Sequence, residues 1–146
     1  MYEIQTEIEI EADAPEVWNV LTAFDEYPEW NPFVRRIEGA LAVGEQLSVQ
    51  LDQAGGKPMG LKPRVVFVED GSKFGWLGKL LLPKIFDGTH SFEIQPLSEG
   101  RTLFKHYEHF SGVLVPLFRG MFENKTRPAF EAMNRALKQR VERASA

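Results

Sequence analysis

The chain of 146 residues contains no cysteine and only three histidines. Without thiols there is no disulfide framework, thiolate-bound zinc, iron–sulfur cluster or cysteine nucleophile, and the composition fits a reducing compartment, the cytoplasm. No run approaches the roughly 20 apolar residues of a membrane-spanning helix. Basic residues are not in excess. The 17 Lys and Arg stand against 21 Asp and Glu, a net charge of −4, so no basic face points to nucleic acid. The opening Met1-Tyr2-Glu3-Ile4 is acidic and alternating, unlike a secretory leader. Neither G-x-S-x-G, G-x-G-x-x-G nor a Walker sequence occurs. That removes the serine elbow and the common nucleotide cradles, and no external cofactor is expected. Repeats, low-complexity runs and linkers are missing too, so residues 1–146 read as one domain.

Aromatic residues are plentiful: 11 Phe, 3 Trp and 3 Tyr make up 12% of the chain. A domain of this size either packs such rings tightly or lines a cavity with them.

The pattern begins with strict alternation. Tyr2, Ile4, Thr6, Ile8 and Ile10 point one way and Glu3, Gln5, Glu7, Glu9 and Glu11 the other, which is a half-buried strand. Asp13 is placed to cap a helix and Pro15 suits its first turn. Val17, Trp18, Val20, Leu21 and Phe24 mark a short amphipathic helix. The stretch 25–33, with Pro28 and Pro32, reads as a loop holding a tight helical turn. Strand signals follow at 34–38, 46–51, 61–69, 73–80, 88–97 and 102–113, with turns at Gly55-Gly56, Asp70-Gly71 and Glu99-Gly100. The period then changes. Phe118, Met121, Phe122, Phe130, Met133, Leu137 and Val141 predict a helix of roughly 25 residues, kinked at Pro128. Charges of both signs share its polar face, which is a solvated surface rather than a nucleic-acid stripe. A sheet of about six or seven antiparallel strands has one apolar face to cover, and only the last helix is long enough to cover it. The fold class is therefore α+β, a curved antiparallel sheet around a long C-terminal helix.

Five segments in order resemble a known family. They are Ala14-Pro15-Glu16-Val17-Trp18, Tyr27-Pro28-Glu29-Trp30-Asn31-Pro32-Phe33, His90-Ser91-Phe92, the string from Thr102 to Gly112, and Phe130 to Lys138. Together they resemble the START-like (SRPBCC, helix-grip) superfamily, and within it the polyketide cyclase/dehydrase-like small proteins. The resemblance covers nearly the whole chain. It implies a deep apolar cavity between sheet and last helix that holds one hydrophobic or amphipathic small molecule: a lipid, an aromatic or a polyketide-like compound.

Facing arguments give the candidate site. Phe104, His106, Glu108 and Phe110 share one strand face, matched by His90, Phe92 and Ile94 on the preceding strand. An imidazole beside a carboxylate in an apolar wall is a satisfied internal pair, a ligand contact, or an acid–base couple. In the last case His106 and Glu108 are the catalytic candidates of a cofactor-free cyclase or dehydratase. Candidate ligand contacts are Trp30, Asn31, Phe33, Trp76, His90, Phe92, Phe104, His106, Glu108, Phe110 and Phe122. Asn31 reads equally as a turn cap and Trp30 as a loop anchor. His106 and His109 fall on opposite strand faces and do not share an ion. His90, His106 and Glu108 have the composition of a two-histidine-one-carboxylate set, but with no further donors no metal is expected. The greasy segment 78–88 (GKLLLPKIFDG) reads as a strand packed on the long helix, as a lid at the cavity mouth, or as a homodimer contact.

Overall fold

The computed structural model describes residues 1–52, 57–80 and 85–145. The alternation at the start of the chain becomes strand β1, Tyr2–Ile10. Ile4, Thr6 and Ile10 are buried, while Glu3, Gln5, Glu7 and Glu9 are exposed. Helix α1, Ala14–Thr22, buries Val17, Trp18 and Leu21. Asp13 does occupy the cap position, but its side chain makes no capping bond. Its Oδ1 accepts the Gly100 N–H at 2.7 Å instead, tying the start of the helix to a distant hairpin turn. The loop with two prolines condenses into a 3₁₀ turn, Phe24–Glu26, and a short helix α2, Tyr27–Trp30. Tyr27 is buried and donates its hydroxyl to the Leu21 carbonyl.

Among the described residues eight strands form where about six or seven were expected. They are β1, β2 (Val34–Glu38), β3 (Ser48–Leu51), β4 (Met59–Leu61), β5 (Arg64–Glu69), β6 (Lys73–Leu80), β7 (Phe86–Ser98) and β8 (Arg101–Ser111). The strand expected over 61–69 is split, because Pro63 has no N–H for the ladder. The single sheet is accordingly two. One has five strands in the order β1-β8-β7-β6-β5 and the other three, β2-β3-β4. Backbone bonds join them: Leu47 N–H to the Pro63 carbonyl at 2.8 Å and Val65 N–H to the Glu45 carbonyl at 2.9 Å. The two tight turns at Gly71 and Gly100 put these residues at φ +80° and +77°, conformations open to glycine. The Gly55-Gly56 turn lies outside the described residues.

The last helix is interrupted just ahead of its proline. A 3₁₀ turn, Val115–Phe118, leads into helix α3, Arg119–Met121, a π-helical turn, Phe122–Thr126, and helix α4, Arg127–Ser145. Pro128 is the second residue of α4. The Arg127 N–H reaches back to the Phe122 carbonyl. This wider i→i−5 loop stands directly ahead of the proline, where the kink was expected; like the proline, it departs from the ordinary helical bond pattern. The buried stripe of this helix runs through Phe122, Thr126, Phe130, Met133, Asn134, Leu137 and Val141. It packs on β1, β8 and α1. Among the described residues, no helix is long and apolar enough to cross a membrane.

Candidate functional site

The register of β7 and β8 builds the site. His90 lies opposite Glu108, and Phe92 lies opposite His106. Directly opposed residues of an antiparallel pair point to the same face, so all four project toward the helix. His90 Nδ1 stands 3.3 Å from Glu108 Oε1. His90 Nε2 meets His106 Nε2 at 2.7 Å. His106 Nδ1 meets Asn134 Oδ1 at 2.9 Å. Asn134 Nδ2 donates to Thr6 Oγ1 at 2.8 Å, and the Thr6 hydroxyl donates to the His106 carbonyl at 2.8 Å. Five side chains from β1, β7, β8 and α4 thus form one polar chain through the core.

Aromatic rings enclose its inner part. His106 is fully buried and lies parallel to Phe130, centroids 4.1 Å apart with planes at 3°. Phe92 packs 4.8 Å from each imidazole, and Trp76 covers His90 at 5.1 Å. Burial, reinforced by the neighbouring His90 ring, holds the His106 pKa well below its ordinary value. The folded pKa is the lower one, so unfolding takes up a proton below the ordinary value of 6.5. Stability is then full above about pH 6.5 and falls on acidification through that value, by up to about 1.4 kcal/mol per pH unit. Urea unfolding at pH 7 and pH 5.5 should show a steeper loss for wild type than for His106→Phe. Equal losses would remove His106 as the cause.

The space between sheet and helix is divided. Around the two imidazoles it is filled by Phe33, Trp76, Phe92, Phe104 and Phe130. Toward the π turn a cleft of about 90 Å³ stays open. Sheet residues Leu51, Leu61, Phe86 and Phe110 line it, with Phe33, Met59, Met121 and Phe122 completing the apolar wall. Glu108 and Thr126 supply the polar side chains, and Gly78 and Gly88 leave the strand faces bare. A cleft of this size holds several waters or part of a slim ligand; pockets that swallow drug-sized molecules run to roughly 300 Å³ and above.

The expected site residues separate accordingly. Phe33, Glu108, Phe110 and Phe122 line the cleft. His90, His106, Phe92, Phe104 and Trp76 sit in the packed layer behind it, so His106 lies one histidine away from the open space. Asn31 caps a turn: its Oδ1 accepts from Phe33 N–H at 3.0 Å and Val34 N–H at 2.9 Å. Trp30 packs edge-on against Tyr27 and borders a separate groove beside Arg140. His109 faces outward near Glu3. Of the segment 78–88, Phe86 turns inward against Phe110, Phe118 and Phe122; residues 81–84 lie outside the described ones.

Two members of the polar chain were missed, Thr6 and Asn134. Both carried a signal. Thr6 is the polar residue in the inward series Ile4, Thr6, Ile8, Ile10, and Asn134 falls one turn after Phe130 on the apolar stripe. A polar side chain on a buried face needs a partner, and these two are each other's.

Residues 1–142 match the family described as polyketide cyclase / dehydrase and lipid transport. Similar solved structures include the Zhui aromatase/cyclase from Streptomyces sp. R1128, at TM-score 0.80 and 16% identity over 99% of this chain and 96% of that one. A START superfamily protein from Mycobacterium smegmatis aligns at TM-score 0.75 and 20% identity, covering 99% of each chain. A norcoclaurine synthase point mutant from Thalictrum flavum, in complex with a transition state analogue, aligns at TM-score 0.74 and 18% identity over 99% and 96%. At these identities the likeness is one of fold. No curated protein matches the chain by sequence.

Proposed function

Because the chain belongs to the polyketide cyclase/dehydrase and lipid transport family, we propose that it binds a small, largely apolar molecule in the cleft beside the π turn. The observation that carries this reading is the wall itself: among the described residues, eight apolar side chains surround a single carboxylate, Glu108. Apolar burial supplies affinity at about 25 cal/mol per Å² and the carboxylate supplies orientation. Gly78 tests it. A Cβ there meets nothing nearer than the Gly88 carbonyl at 4.0 Å. Gly78→Phe therefore places a ring in the cleft while leaving the core intact. The neutral fluorophore N-phenyl-1-naphthylamine should bind wild type and lose at least about tenfold in affinity in the variant. Unchanged binding would locate the ligand elsewhere.

A second reading is a cofactor-free cyclase or dehydratase, as the names of some structural relatives suggest. It is favoured by Glu108 reaching the cleft while its other oxygen faces a histidine. In this reading Glu108 exchanges the proton and His90 and His106 stand behind it. The proposal treats residues 1–146 as one domain acting in the cytoplasm, with no metal or cofactor and no nucleic acid. A homodimer contact across 78–88 belongs to it as well, for sedimentation equilibrium to test.

A further inference from the structure

We propose that Glu108 Oε2 is an obligate hydrogen-bond acceptor on the cleft wall, so that the site selects an apolar molecule carrying a hydroxyl or phenol over the matching ether or carboxylate. This deepens the apolar-cleft reading and rests on it.

The polarity of the buried chain is anchored by a group that can only accept. Thr6 donates its one hydroxyl proton to the His106 carbonyl. Thr6 Oγ1 must therefore accept from Asn134 Nδ2, which turns Asn134 Oδ1 toward His106 Nδ1. His106 Nδ1 then carries a proton. The fully buried ring is neutral, so its Nε2 is a bare lone pair. His90 Nε2, 2.7 Å away, has to be the donor. That leaves His90 Nδ1 facing Glu108 Oε1 at 3.3 Å. Oε1 is thus the oxygen turned to His90, and Oε2 is left to the cleft as a carboxylate acceptor.

Gly88 leaves the room for that oxygen, since a Cβ there would collide with Oε2. Both residues line the cleft. The described lining residues include no Lys or Arg. Among the described lining residues no cation offsets the lone pairs of Oε2 against an anion, so a carboxylate ligand is disfavoured along with the ether.

The test compares 2-naphthol with 2-methoxynaphthalene by calorimetric titration. The ether is the larger and more apolar, so apolar burial alone makes it the tighter ligand. The donor rule inverts that order: 2-naphthol should bind wild type about tenfold more tightly. Glu108→Gln should keep the preference, because its amide N–H₂ can serve His90 Nδ1 while its oxygen turns to the cleft. Glu108→Leu should restore the order set by apolarity. Equal affinities, or a tighter ether, in wild type would overturn the donor rule and leave the apolar cleft standing. If neither compound binds, the cleft reading falls and the ligand class with it. Nitrogen-15 spectra of the histidines read the polarity independently. His106 should be the Nδ1–H form with bare Nε2, and the opposite tautomer would refute the chain of donors.

Discussion

Phe130→Ala is expected to lower the free energy of unfolding by about 3–5 kcal/mol, the cost of deleting a buried phenyl and leaving its cavity. The ring is fully buried, parallel to His106 at 4.1 Å, and within 4.9 Å of His90 and 5.3 Å of Phe33. Its loss has a second consequence. The space it vacates borders two imidazoles, so water can enter a wall that is now dry. Burial is the main cause of the depressed His106 pKa. Hydration should therefore return His106 toward its ordinary value. Chemical denaturation reads the first effect and a histidine NMR titration the second. A large stability loss with an unmoved His106 would mean that Phe130 supports the fold without sealing the polar chain.

Asn134→Leu is expected to cost about 2–6 kcal/mol, because it strands two buried groups at about 1–3 kcal/mol each. The side chain is close in volume, so little of the effect is cavity. What is lost is the acceptor for His106 Nδ1 and the donor to Thr6 Oγ1. The partner substitution gives the decisive comparison. Thr6→Val together with Asn134→Leu should cost less than the two single changes added, since each removes a group the other leaves unpaired. Strict additivity in urea unfolding would show that Thr6 and Asn134 do not act as a pair.

Much of this was legible in the sequence, for reasons tied to particular residues. Period two in Tyr2–Ile10 reports one wet face directly. The shared face of Phe104, His106, Glu108 and Phe110 follows from the pleat and needs no tertiary information. It put His90 within reach of His106 or Glu108, and the register sets it opposite Glu108. The misplaced features were those in which local chemistry had alternatives. Asp13 has the residue type of a cap, but a free N–H from Gly100 came within its reach. Pro128 forbids an ordinary helical bond, and the sequence did not show that a π turn would stand directly ahead of it. Pro63 split a run of strand formers that hydropathy alone joins.

The residues themselves determined the succession of strands, the inward faces, the apolar stripe of the last helix and the family. These follow from periodicities and steric rules acting within a few residues. Tertiary structure decided which aromatic residues fill the space and which leave it open. Phe92 and Phe104 close over the histidines while Phe110 and Phe122 border a cleft, though all four share the same hydropathy and the same inward facing. It also decided that Thr6 and Asn134, 128 positions apart, meet and orient two histidines toward Glu108. Such a hydrogen-bond direction is a property of the closed circuit of partners, and no single segment of the chain contains it.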